Sequence, residues 1–454
     1  MKSPDEALAV AGRIAQSVNK AGGRAYFVGG FVRDRISGKT SSSPDIDIEV
    51  HGLEPEKLKK LLSDIGNVMT IGESFGIYSL RGFNIDVAMP RSERLTGRGH
   101  RDFETTVDPF IGTKKAAMRR DFTINAMMED ILTGEITDHF GGRQDLENRI
   151  LRHVNDRSFP EDPLRVLRCA QFAARFDFGV APETLELCRH IPLDSLSAER
   201  VDGELKKAML RASRPSVFFE FLRAADGLDV WFPEAKALID VPQDPRFHKE
   251  GDVWTHTMMV LDQAAARREA ASNPYAFMLA ALCHDFGKPQ TTEFVNGAIH
   301  SYGHENAGIG IADGFIRRIT NEKNILRYVL NMVMLHMQPN AMAAQHSSVK
   351  ATNRLFDRSA DPCGLIQLAV ADSLGMSFDR EYYPSEPFLS ERYEIYKETM
   401  SKPYVTGKDL IDAGLHPGDG FGDILDYAHK LRLAGIEKES ALRQTLAYAR
   451  KKGC

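Results

Sequence analysis

Asp45-Ile46-Asp47-Ile48-Glu49-Val50 is the stretch of sequence that decides the fold of this chain. Apolar and acidic residues alternate along it, and this alternation predicts a strand. Side chains at i and i+2 project from the same face of a strand, so Asp45 and Asp47 lie close enough to share divalent cations. Two such ions about 4 Å apart activate an attacking hydroxyl and stabilise a departing pyrophosphate. Together with the glycine and arginine element that precedes it, the stretch predicts a nucleotidyl-transfer site.

Upstream, the sequence reads Val28-Gly29-Gly30-Phe31-Val32-Arg33-Asp34, which gives the acidic pair its context. Glycines without Cβ atoms let the backbone approach a triphosphate, and Arg33 can neutralise part of its charge. An isolated Asp-x-Asp would more often be a solvated strand end. A dinucleotide-binding site fits less well, because the third glycine of that fingerprint is missing and acidic residues repel pyrophosphate unless metals are bound.

The composition limits the classes of protein that the chain can belong to. Its 454 residues, 43% of them hydrophobic, suffice for about three domains. A net charge of −5 gives no global signature of polyanion binding, so contact with nucleic acid must use local basic surfaces. Residues 91–120 supply one, with eight basic against four acidic residues. A solvated loop is the alternative interpretation of that run.

The cysteines and the apolar segments indicate where the protein works. Five scattered cysteines without a Cys-x-x-Cys pair are typical of reduced thiols. No apolar run approaches the roughly 20 residues that span a bilayer, and the first residues lack the apolar core of a signal peptide. We expect a cytoplasmic protein that does not enter a membrane. The sequence sets no oligomeric state.

The pattern of apolar residues predicts an α+β fold. Residues 4–20 have helical spacing, and short strands are predicted at 26–28, 46–50, 78–80 and 85–88. After Gly141-Gly142 the pattern becomes helical. Breakers near 235–248 and 383–387 predict further boundaries. The predicted domains are an α+β domain with a mixed sheet (1–145) and three helical domains (146–240, 248–380 and 400–454).

A second dense block is Arg119-Arg120-Asp121-Phe122-Thr123-Ile124-Asn125-Ala126. The planar fork of arginine binds phosphate in a bidentate manner, which makes Arg120 a candidate phosphate ligand. A structural ion pair with Asp121 is the alternative.

A third block, Glu161-Asp162-Pro163-Leu164-Arg165-Val166-Leu167-Arg168, predicts the start of a helix. Asp162 and Arg165 are three residues apart, so both side chains are expected on one helix face, where they could meet the edge of a nucleobase together. Asp accepts from an exocyclic amine and Arg donates to ring nitrogens or carbonyls. Taken alone, the block would be an ordinary helix N-terminus with an i,i+3 ion pair.

In this order, the blocks resemble the class II tRNA nucleotidyltransferases, the family of CCA-adding enzymes and bacterial poly(A) polymerases. Two further matches are the turn from Gly141-Gly142 to Asp145 and, more weakly, residues 199–207. The resemblance implies tRNA, CTP and ATP as partners and a head, neck, body and tail arrangement. Residues 91–108 resemble the loop with which CCA enzymes switch from C to A, whereas Gln171 departs from the arginine ladder of many relatives.

The resemblance also implies roles for particular residues. Asp45 and Asp47 would bind Mg²⁺, and Asp86 would be a third active-site carboxylate. Gly30, Arg33 and Arg120 would lie near the triphosphate. Asp162 and Arg165, with Arg168 farther along the helix, would select the nucleotide in place of a nucleic-acid template.

A separate series of metal-ligating residues lies in the helical half, namely His256, His284-Asp285 and Asp372. Imidazole with carboxylate suits a divalent transition metal that lowers the pKa of bound water for phosphoester hydrolysis. The segment resembles an HD-superfamily phosphohydrolase domain. His304 and His336 could supply a second metal, and Lys288 could meet a substrate phosphate.

Two other functions remain open at this point. A poly(A) polymerase or an A-adding enzyme of the same superfamily would share the transferase motifs and differ in its product. A protein of another class, an HD phosphohydrolase whose head has become an RNA-binding module, would not need the acidic pair.

Overall fold

The computed structural model describes residues 3–38, 45–70, 76–95, 103–376 and 385–452. The chain forms two compact units. The first comprises residues 1–208 and 217–230, and the second comprises residues 209–216 and 231–454. The finer division into four domains stays a prediction.

A mixed seven-stranded sheet is the centre of the first unit. The strands of this unit are β1 Arg24–Val28, β2 Ile46–His51, β3 Val68–Thr70, β4 Ile77–Leu80, β5 Ile85–Ala88, β6 Arg91–Leu95, β7 Phe103–Val107, β8 Met128–Asp130, β9 Ile136–Thr137, β10 Ile150–Leu151 and β11 Gly179–Val180. The large sheet has the order β3-β4-β5-β2-β1-β8-β9, and β6 with β7 and β10 with β11 form two smaller pairs.

Helices accompany this sheet and then follow it along the chain. They are α1 Pro4–Lys20, α2 Gly30–Ile36, α3 Pro55–Ile65, α4 Thr113–Met118, α5 Gly142–Glu147, α6 Leu164–Phe176, α7 Pro182–Arg189, α8 Ala198–Arg211 and α9 Ser216–Ala224. The predicted α+β class is confirmed, as are the helix at 4–20 and the four strands.

Local chemistry explains where α1 begins and which face it buries. Ser3 and Glu6 form a capping box, with Pro4 in the first turn. Ile14 and Val18 are fully buried, whereas Leu8 is 38% exposed. Leu8 is six residues from Ile14, which places it about 120° away around the helix and off the apolar face.

Part of the stretch that resembles a switching loop has regular structure. Strands β6 and β7 pair antiparallel, from Arg91 opposite Val107 to Leu95 opposite Phe103. Residues 96–102 lie outside the described residues. The stretch from residue 91 to residue 108 that resembles a switching loop is therefore flanked by the two strands of a ribbon.

The second unit is helical apart from one hairpin. Its core contains fully buried aromatic residues such as Trp254, Phe277 and Phe315. Its elements are α10 Pro233–Lys236, α11 Val253–Ala265, α12 Pro274–Cys283, α13 Lys288–Thr291, β12 Glu293–Val295, β13 Ala298–His300, α14 His304–Ile319, α15 Lys323–Leu335, α16 Met337–Ala344, α17 Val349–Arg358, α18 Pro362–Leu374, α19 Ser385–Ser401, α20 Gly407–Asp412, α21 Phe421–Leu433 and α22 Lys438–Lys452.

The last three helices share a small core of their own, in which Leu410, Ile424 and Ala449 are buried. The breaker at residues 383–387 falls partly outside the described residues, and its described part is the first turn of α19. Within the described ranges, none of the helices combines the length and the apolar content that crossing a membrane requires.

Candidate functional site

Three carboxylates meet at one end of two neighbouring parallel strands in the first unit. Asp45 directly precedes β2, and Asp47 lies within it. Strand β5 runs parallel to β2, with Asp86 directly opposite Asp47. Residues paired across a sheet project to the same side, so the sheet adds Asp86 to the pair that the sequence had identified.

The glycine turn also lies beside these carboxylates. Gly29 has a φ of +68°, in the left-handed region that favours glycine. A methyl group at this position would lie 3.4 Å from Asp47 Oδ2 and 3.5 Å from Arg120 Nη1. Gly29, more than Gly30, is therefore the glycine that brings the backbone to the acidic edge, since a methyl group at Gly30 would face the Arg33 guanidinium.

Burial and mutual repulsion disfavour the ionised forms of these carboxylates. Burial raises the pKa of Asp47 to about 6, and the charges of Asp45 and Asp86 add to this rise, whereas Arg120 opposes it. Burial and the charge of Asp86 also raise the pKa of Asp45. This donor set of carboxylate oxygens fits a hard divalent cation, which would relieve the repulsion.

Arg120 and Glu49 form a charged pair next to this edge. Arg120 Nη2 donates to Glu49 Oε2 at 3.1 Å, and His51 Nε2 lies 2.9 Å from Glu49 Oε1. Burial alone would raise the pKa of Glu49, but the hydrogen bond from His51 and the charge of Arg120 lower it below its ordinary value. Glu49 therefore stays ionised and holds Arg120 near Asp47.

A cavity of about 370 Å³ extends from Asp47. Its charged lining consists of Asp47, Glu49, Arg91, Arg119, Arg120, Asp121, Asp162, Arg165 and Arg168. The predicted residues Asp47, Arg120, Asp162, Arg165 and Arg168 thus surround one space. Arg33 and Gly30 do not line it.

Asp162 and Arg165 both line this cavity, but Asp162 does not lie on the helix as the sequence predicted. Asp162 has extended backbone before α6, because the proline at position 163 disfavours helical geometry in the residue before it. Both Asp162 oxygens accept from Arg200 Nη2, at 3.0 and 2.9 Å. Arg165 donates through Nη1 to Ser158 O at 2.5 Å and through Nη2 to Arg119 O at 2.6 Å. The two side chains are therefore held in place before any nucleotide arrives.

Arg168 and Arg33, which were predicted to bind the nucleotide, contact other side chains of the protein. Arg168 donates through Nε to Asp121 Oδ2 at 2.8 Å; burial would raise the pKa of Asp121, but the Arg168 charge lowers it. Arg33 is 4% exposed, donates through Nη1 to Asn125 Oδ1 at 2.7 Å and lies over the Phe176 ring. Triphosphate binding by Arg33 stays a prediction, and its observed contacts are those of a residue that positions α2.

The second unit brings together all six residues of the predicted histidine and aspartate series. They form two groups whose ligand atoms lie within 4.8 Å of one another, one of His256, His284 and Asp372 and one of Asp285, His304 and His336. Asp285 joins the groups: Oδ2 lies 3.2 Å from His284 Nε2, and Oδ1 lies 3.3 Å from His304 Nε2. Among the described residues, Asp45, Asp47 and Asp86 form no group as tight as these.

The four histidines of this cluster are oriented in the same way. The Nδ1 atom of each histidine hydrogen-bonds to a group outside the centre of the cluster. In three of them this group is the main-chain carbonyl three residues earlier. The partners are Ala281 O for His284 at 2.8 Å, Ser301 O for His304 at 2.8 Å, Val333 O for His336 at 2.7 Å and Glu250 Oε1 for His256 at 3.2 Å. This arrangement fixes the tautomer and turns every Nε2 toward the centre, as in proteins that bind metals through histidine.

The charges and the unsatisfied atoms of the cluster fit a bound cation. His284 Nε2 is buried without a hydrogen-bond partner among the described residues. Burial lowers the pKa of His336 to about 4, so its imidazole is neutral and can act as a ligand. Burial alone would raise the pKa of Asp285, but His284 and Lys288 hold it well below its ordinary value. A neutral His336 and ionised carboxylates belong to the donor set of a transition metal. Burial would lower the pKa of His256, but its hydrogen bonds to Asp372 and Glu250 raise it to about 9, so His256 must lose a proton when it binds a metal.

Comparison with known proteins shows the family to which the chain belongs. Residues 25–152 match the family model of the poly A polymerase head domain. The chain is 35% identical over 382 residues to the Multifunctional CCA protein of Actinobacillus pleuropneumoniae, covering 82% of this chain and 90% of that protein. It is 40% identical over 386 residues to the protein of that name from Haemophilus influenzae, covering 81% and 89%.

The chain belongs to the class II CCA-adding enzymes. It is a nucleotidyltransferase, and this chemistry requires a divalent metal. A solved structure, the Thermotoga maritima CCA-adding enzyme in complex with tRNA, has the same fold with a TM-score of 0.64 at 20% identity and covers 98% of both chains.

Reasoning from the sequence missed several residues of the two centres in this CCA-adding enzyme. Glu49 supports Arg120, and Arg200, which lies in the weakly matching segment 199–207, supports Asp162. Glu250 Oε1 accepts from both His256 and His248, the latter at 2.7 Å. Of these residues, only Glu49 could have been recognised from the sequence, because it continues the alternation of apolar and acidic residues in β2. Neither Glu250 nor Arg200 is related by local spacing to the residue it supports.

Proposed function

We propose that this chain builds or repairs the 3′-terminal CCA of tRNA, using CTP and ATP. The observation that carries this proposal is the cavity that extends from Asp47 to Asp162 and Arg165, because it joins an acidic edge to side chains that can select a base. In the reaction, the 3′-oxygen of tRNA forms a bond to the α-phosphorus of the nucleotide. The bond from that phosphorus to the bridging oxygen breaks, and pyrophosphate leaves.

Asp45, Asp47 and Asp86 would hold the divalent ions of the transferase, and we propose Mg²⁺ because carboxylate oxygens suit it. When bound, such ions activate the attacking hydroxyl and neutralise the departing pyrophosphate. The protein supplies the rest. Arg120, held by Glu49, offers its remaining N–H groups to phosphate oxygens, and Gly29 keeps the turn clear of side-chain atoms.

Asp162 and Arg165 would select the base without a template. Cytosine and adenine each present an exocyclic amine beside a ring nitrogen, and a carboxylate with a guanidinium matches that pair of groups. Arg200 fixes Asp162, while two main-chain carbonyls fix Arg165, so the pattern of donors and acceptors is set in advance. Arg165 uses two of its five N–H groups on these carbonyls and keeps the others for the base.

Product length tests this proposal against a poly(A) polymerase or an A-adding enzyme. The purified chain is incubated with tRNA lacking its 3′ end, Mg²⁺ and CTP, ATP or both, and the products are resolved at single-nucleotide length. CCA addition predicts that synthesis stops after three nucleotides when both are present. A long adenosine ladder, or use of ATP only on tRNA already ending in CC, would assign the chain to a rival.

We propose a second activity, phosphoester hydrolysis by the cluster in the second unit. The inward orientation of all four histidines favours it, because a cluster kept only for folding would need neither this orientation nor the buried, unsatisfied Nε2 of His284. His256, His284, Asp285 and Asp372 would hold a divalent transition metal, and His304 and His336 a second. When bound, such a metal lowers the pKa of a water molecule that then attacks phosphorus.

Hydrolysis of phosphate esters tests the second activity independently of polymerisation. The substrates are a 2′-phosphorylated nucleotide, from which inorganic phosphate is released, and a 2′,3′-cyclic nucleotide, whose ring opening gives the monophosphate, with metal added after dialysis against a chelator. Hydrolysis should depend on the metal and disappear in His284→Ala. Persistent hydrolysis in that variant would show that the cluster is not the hydrolytic site.

We also propose a cytoplasmic location, which the four free cysteines in the described part of the chain favour.

A further inference from the structure

A row of buried polar side chains continues along β2 from the acidic edge to His51. Asp47, Glu49 and His51 alternate along this strand, so their side chains project from the same face of the sheet. Glu49 and His51 are each 8% exposed. Asp47 and Glu49 line the cavity proposed to hold the nucleotide, whereas His51 does not line it. Any influence of His51 on the transferase must therefore pass through a neighbouring side chain.

Glu49 is that neighbour, because its two carboxylate oxygens have different partners. His51 Nε2 lies 2.9 Å from Oε1, and Arg120 Nη2 donates to Oε2 at 3.1 Å. An ionised carboxylate has no proton to donate, so His51 must be the donor through Nε2. The two donors together fix the rotation of the carboxylate about its last bond.

The imidazole of His51 is itself held in one orientation. The Tyr26 ring on the neighbouring strand β1 meets it edge to face, with ring centroids 5.4 Å apart and planes 87° apart. Tyr26 also lies directly opposite Glu49 in the pairing of β1 with β2. The histidine therefore presents its Nε2 to Glu49 from a fixed direction.

The other nitrogens of Arg120 show what the occupied oxygen of Glu49 prevents. A methyl group at Gly29 would lie 3.5 Å from Arg120 Nη1 and 3.4 Å from Asp47 Oδ2, so Nη1 lies at the acidic edge. Nε of Arg120 is buried without a hydrogen-bond partner among the described residues. Arginine and a carboxylate that lacks other partners commonly pair through two parallel N–H···O bonds. Here His51 occupies one of the two oxygens and blocks that pairing.

We propose that His51 is a positioning residue of the transferase, which limits Arg120 to one bond with Glu49 and thereby keeps Nη1 of Arg120 turned toward the phosphates of the nucleotide. This inference rests on the proposed function, in which Arg120 binds those phosphates. Without His51, Arg120 pairs with both oxygens of Glu49 and loses part of its contact with the phosphates. CTP and ATP carry the same phosphates, so both nucleotides are affected alike.

The test measures nucleotide addition by two variants of His51. His51→Leu has no donor, whereas the amide nitrogen of His51→Gln can take the place of Nε2. KM and kcat are measured for CTP and for ATP, together with the inhibition constant of pyrophosphate, which has phosphates but no base. His139→Leu, which replaces an exposed histidine of the same unit, is the matched control.

His51→Leu should raise both KM values and the inhibition constant of pyrophosphate by about tenfold each. One hydrogen bond to a charged group corresponds to a factor of roughly 10 to 150 in binding. The kcat values, and the ratio of kcat/KM for CTP to that for ATP, should stay within about twofold of wild type. His51→Gln and His139→Leu should match wild type.

A purely structural role for His51 would instead lower the amount of active protein and leave KM and the inhibition constant unchanged. That result, or an equal loss in His51→Leu and His51→Gln, would overturn the proposal. If circular dichroism shows that His51→Leu does not fold, His51→Asn takes its place with the same expected results, because its shorter amide does not reach Glu49.

Two further variants separate failure of this inference from failure of the proposed role of Arg120. Arg120→Met should raise KM and the inhibition constant at least tenfold; no change would overturn both proposals. A rise in Arg120→Met without one in His51→Leu refutes the role of His51 alone. In a Glu49→Val background, His51→Leu should add less than about twofold, because residues that act through one contact are not additive. A further tenfold rise there would show that His51 does not act through Glu49.

Failure of CCA addition itself is recognised from product length, and the comparison of KM values stands whichever product the enzyme makes. If wild type adds no nucleotide, calorimetric titration with pyrophosphate and Mg²⁺ decides the inference. About tenfold weaker binding by His51→Leu than by wild type upholds it, and equal binding refutes it.

Discussion

The two candidate centres of this enzyme are built on opposite principles. In the first unit, carboxylates on adjacent strands repel one another, and Asp45 is exposed to solvent. In the second, four histidines and two aspartates are enclosed by helices, and His256 and His284 are at most 1% exposed. Oxygen ligands that come together only around a cation suit ions that exchange with each substrate. Buried imidazoles that are oriented in advance suit an ion that stays.

Removal of one acid from the strand site should separate the activities of the two centres most clearly. Asp47→Asn keeps the shape of the side chain but loses its charge, so nucleotide incorporation should fall by about 10³-fold. Phosphate release from a 2′-phosphorylated nucleotide should not change. Both rates and the far-UV circular dichroism are measured.

Asp64→Asn, an exposed acid in the same unit, is the control and should incorporate nucleotides normally. Wild-type incorporation by Asp47→Asn would contradict the assignment of the acidic edge. Loss of both activities would mean that the two centres are not independent.

The reciprocal variant is His284→Ala. It removes an imidazole whose Nδ1 is anchored and whose Nε2 is buried, so we expect at least about 100-fold weaker metal retention and a similar loss of hydrolysis. Elemental analysis of the purified variant measures the metal directly. Addition of nucleotides to tRNA should remain within about twofold of wild type.

His190→Ala is the matched control, because His190 is an exposed histidine whose ring nitrogen bonds to Glu186. Full metal content in His284→Ala would show that the cluster is not the site that binds the metal.

A smaller effect is expected from Glu250, which touches the cluster only through histidines. Glu250→Gln keeps the size of the side chain but weakens its hold on Nδ1 of His256, so metal affinity should fall about tenfold to 100-fold. Competition with a chelating dye measures the affinity. Glu293→Gln, an exposed acid on β12, is the comparison variant and should bind the metal as wild type does. Equal affinity in wild type and Glu250→Gln would remove Glu250 from the site.

The smallest expected effect concerns the choice between CTP and ATP. Asp162→Asn or Arg165→Lys should change the ratio of kcat/KM for the two nucleotides by about tenfold, since a bidentate base contact contributes about 1–3 kcal/mol to discrimination. Single-turnover addition to tRNA ending one or two nucleotides short measures the ratio. Arg157→Ala, an exposed neighbour, should leave it unchanged. An unaltered ratio in both variants would refute templating by these side chains.

The sequence predicted those parts of the molecule that follow from local spacing. Alternation in β2 identified Asp45 and Asp47, and the order of the histidines identified the cluster. Asp162 and Arg165 line one cavity, although Pro163 moves the start of the helix beyond Asp162, so that the two do not share a helix face as predicted. These features depend on neighbours along the chain, where strand and helix geometry give reliable directions.

The remaining features depend on residues that are far apart in the sequence. The pairing of Arg200 with Asp162 spans 38 residues, and the contact of Arg33 with Asn125 spans 92. Such contacts are set by tertiary packing.

Restoring metals one at a time to protein freed of them tests the central claim most directly, because the claim is that an oxygen site and a nitrogen-rich site serve two chemistries in one chain. Mg²⁺ alone should restore addition of CCA to truncated tRNA and leave phosphate release undetectable. Subsequent addition of Mn²⁺, Co²⁺, Ni²⁺ or Zn²⁺ should restore phosphate release with at least one of them. Recovery of both activities in parallel with Mg²⁺ alone would contradict the account.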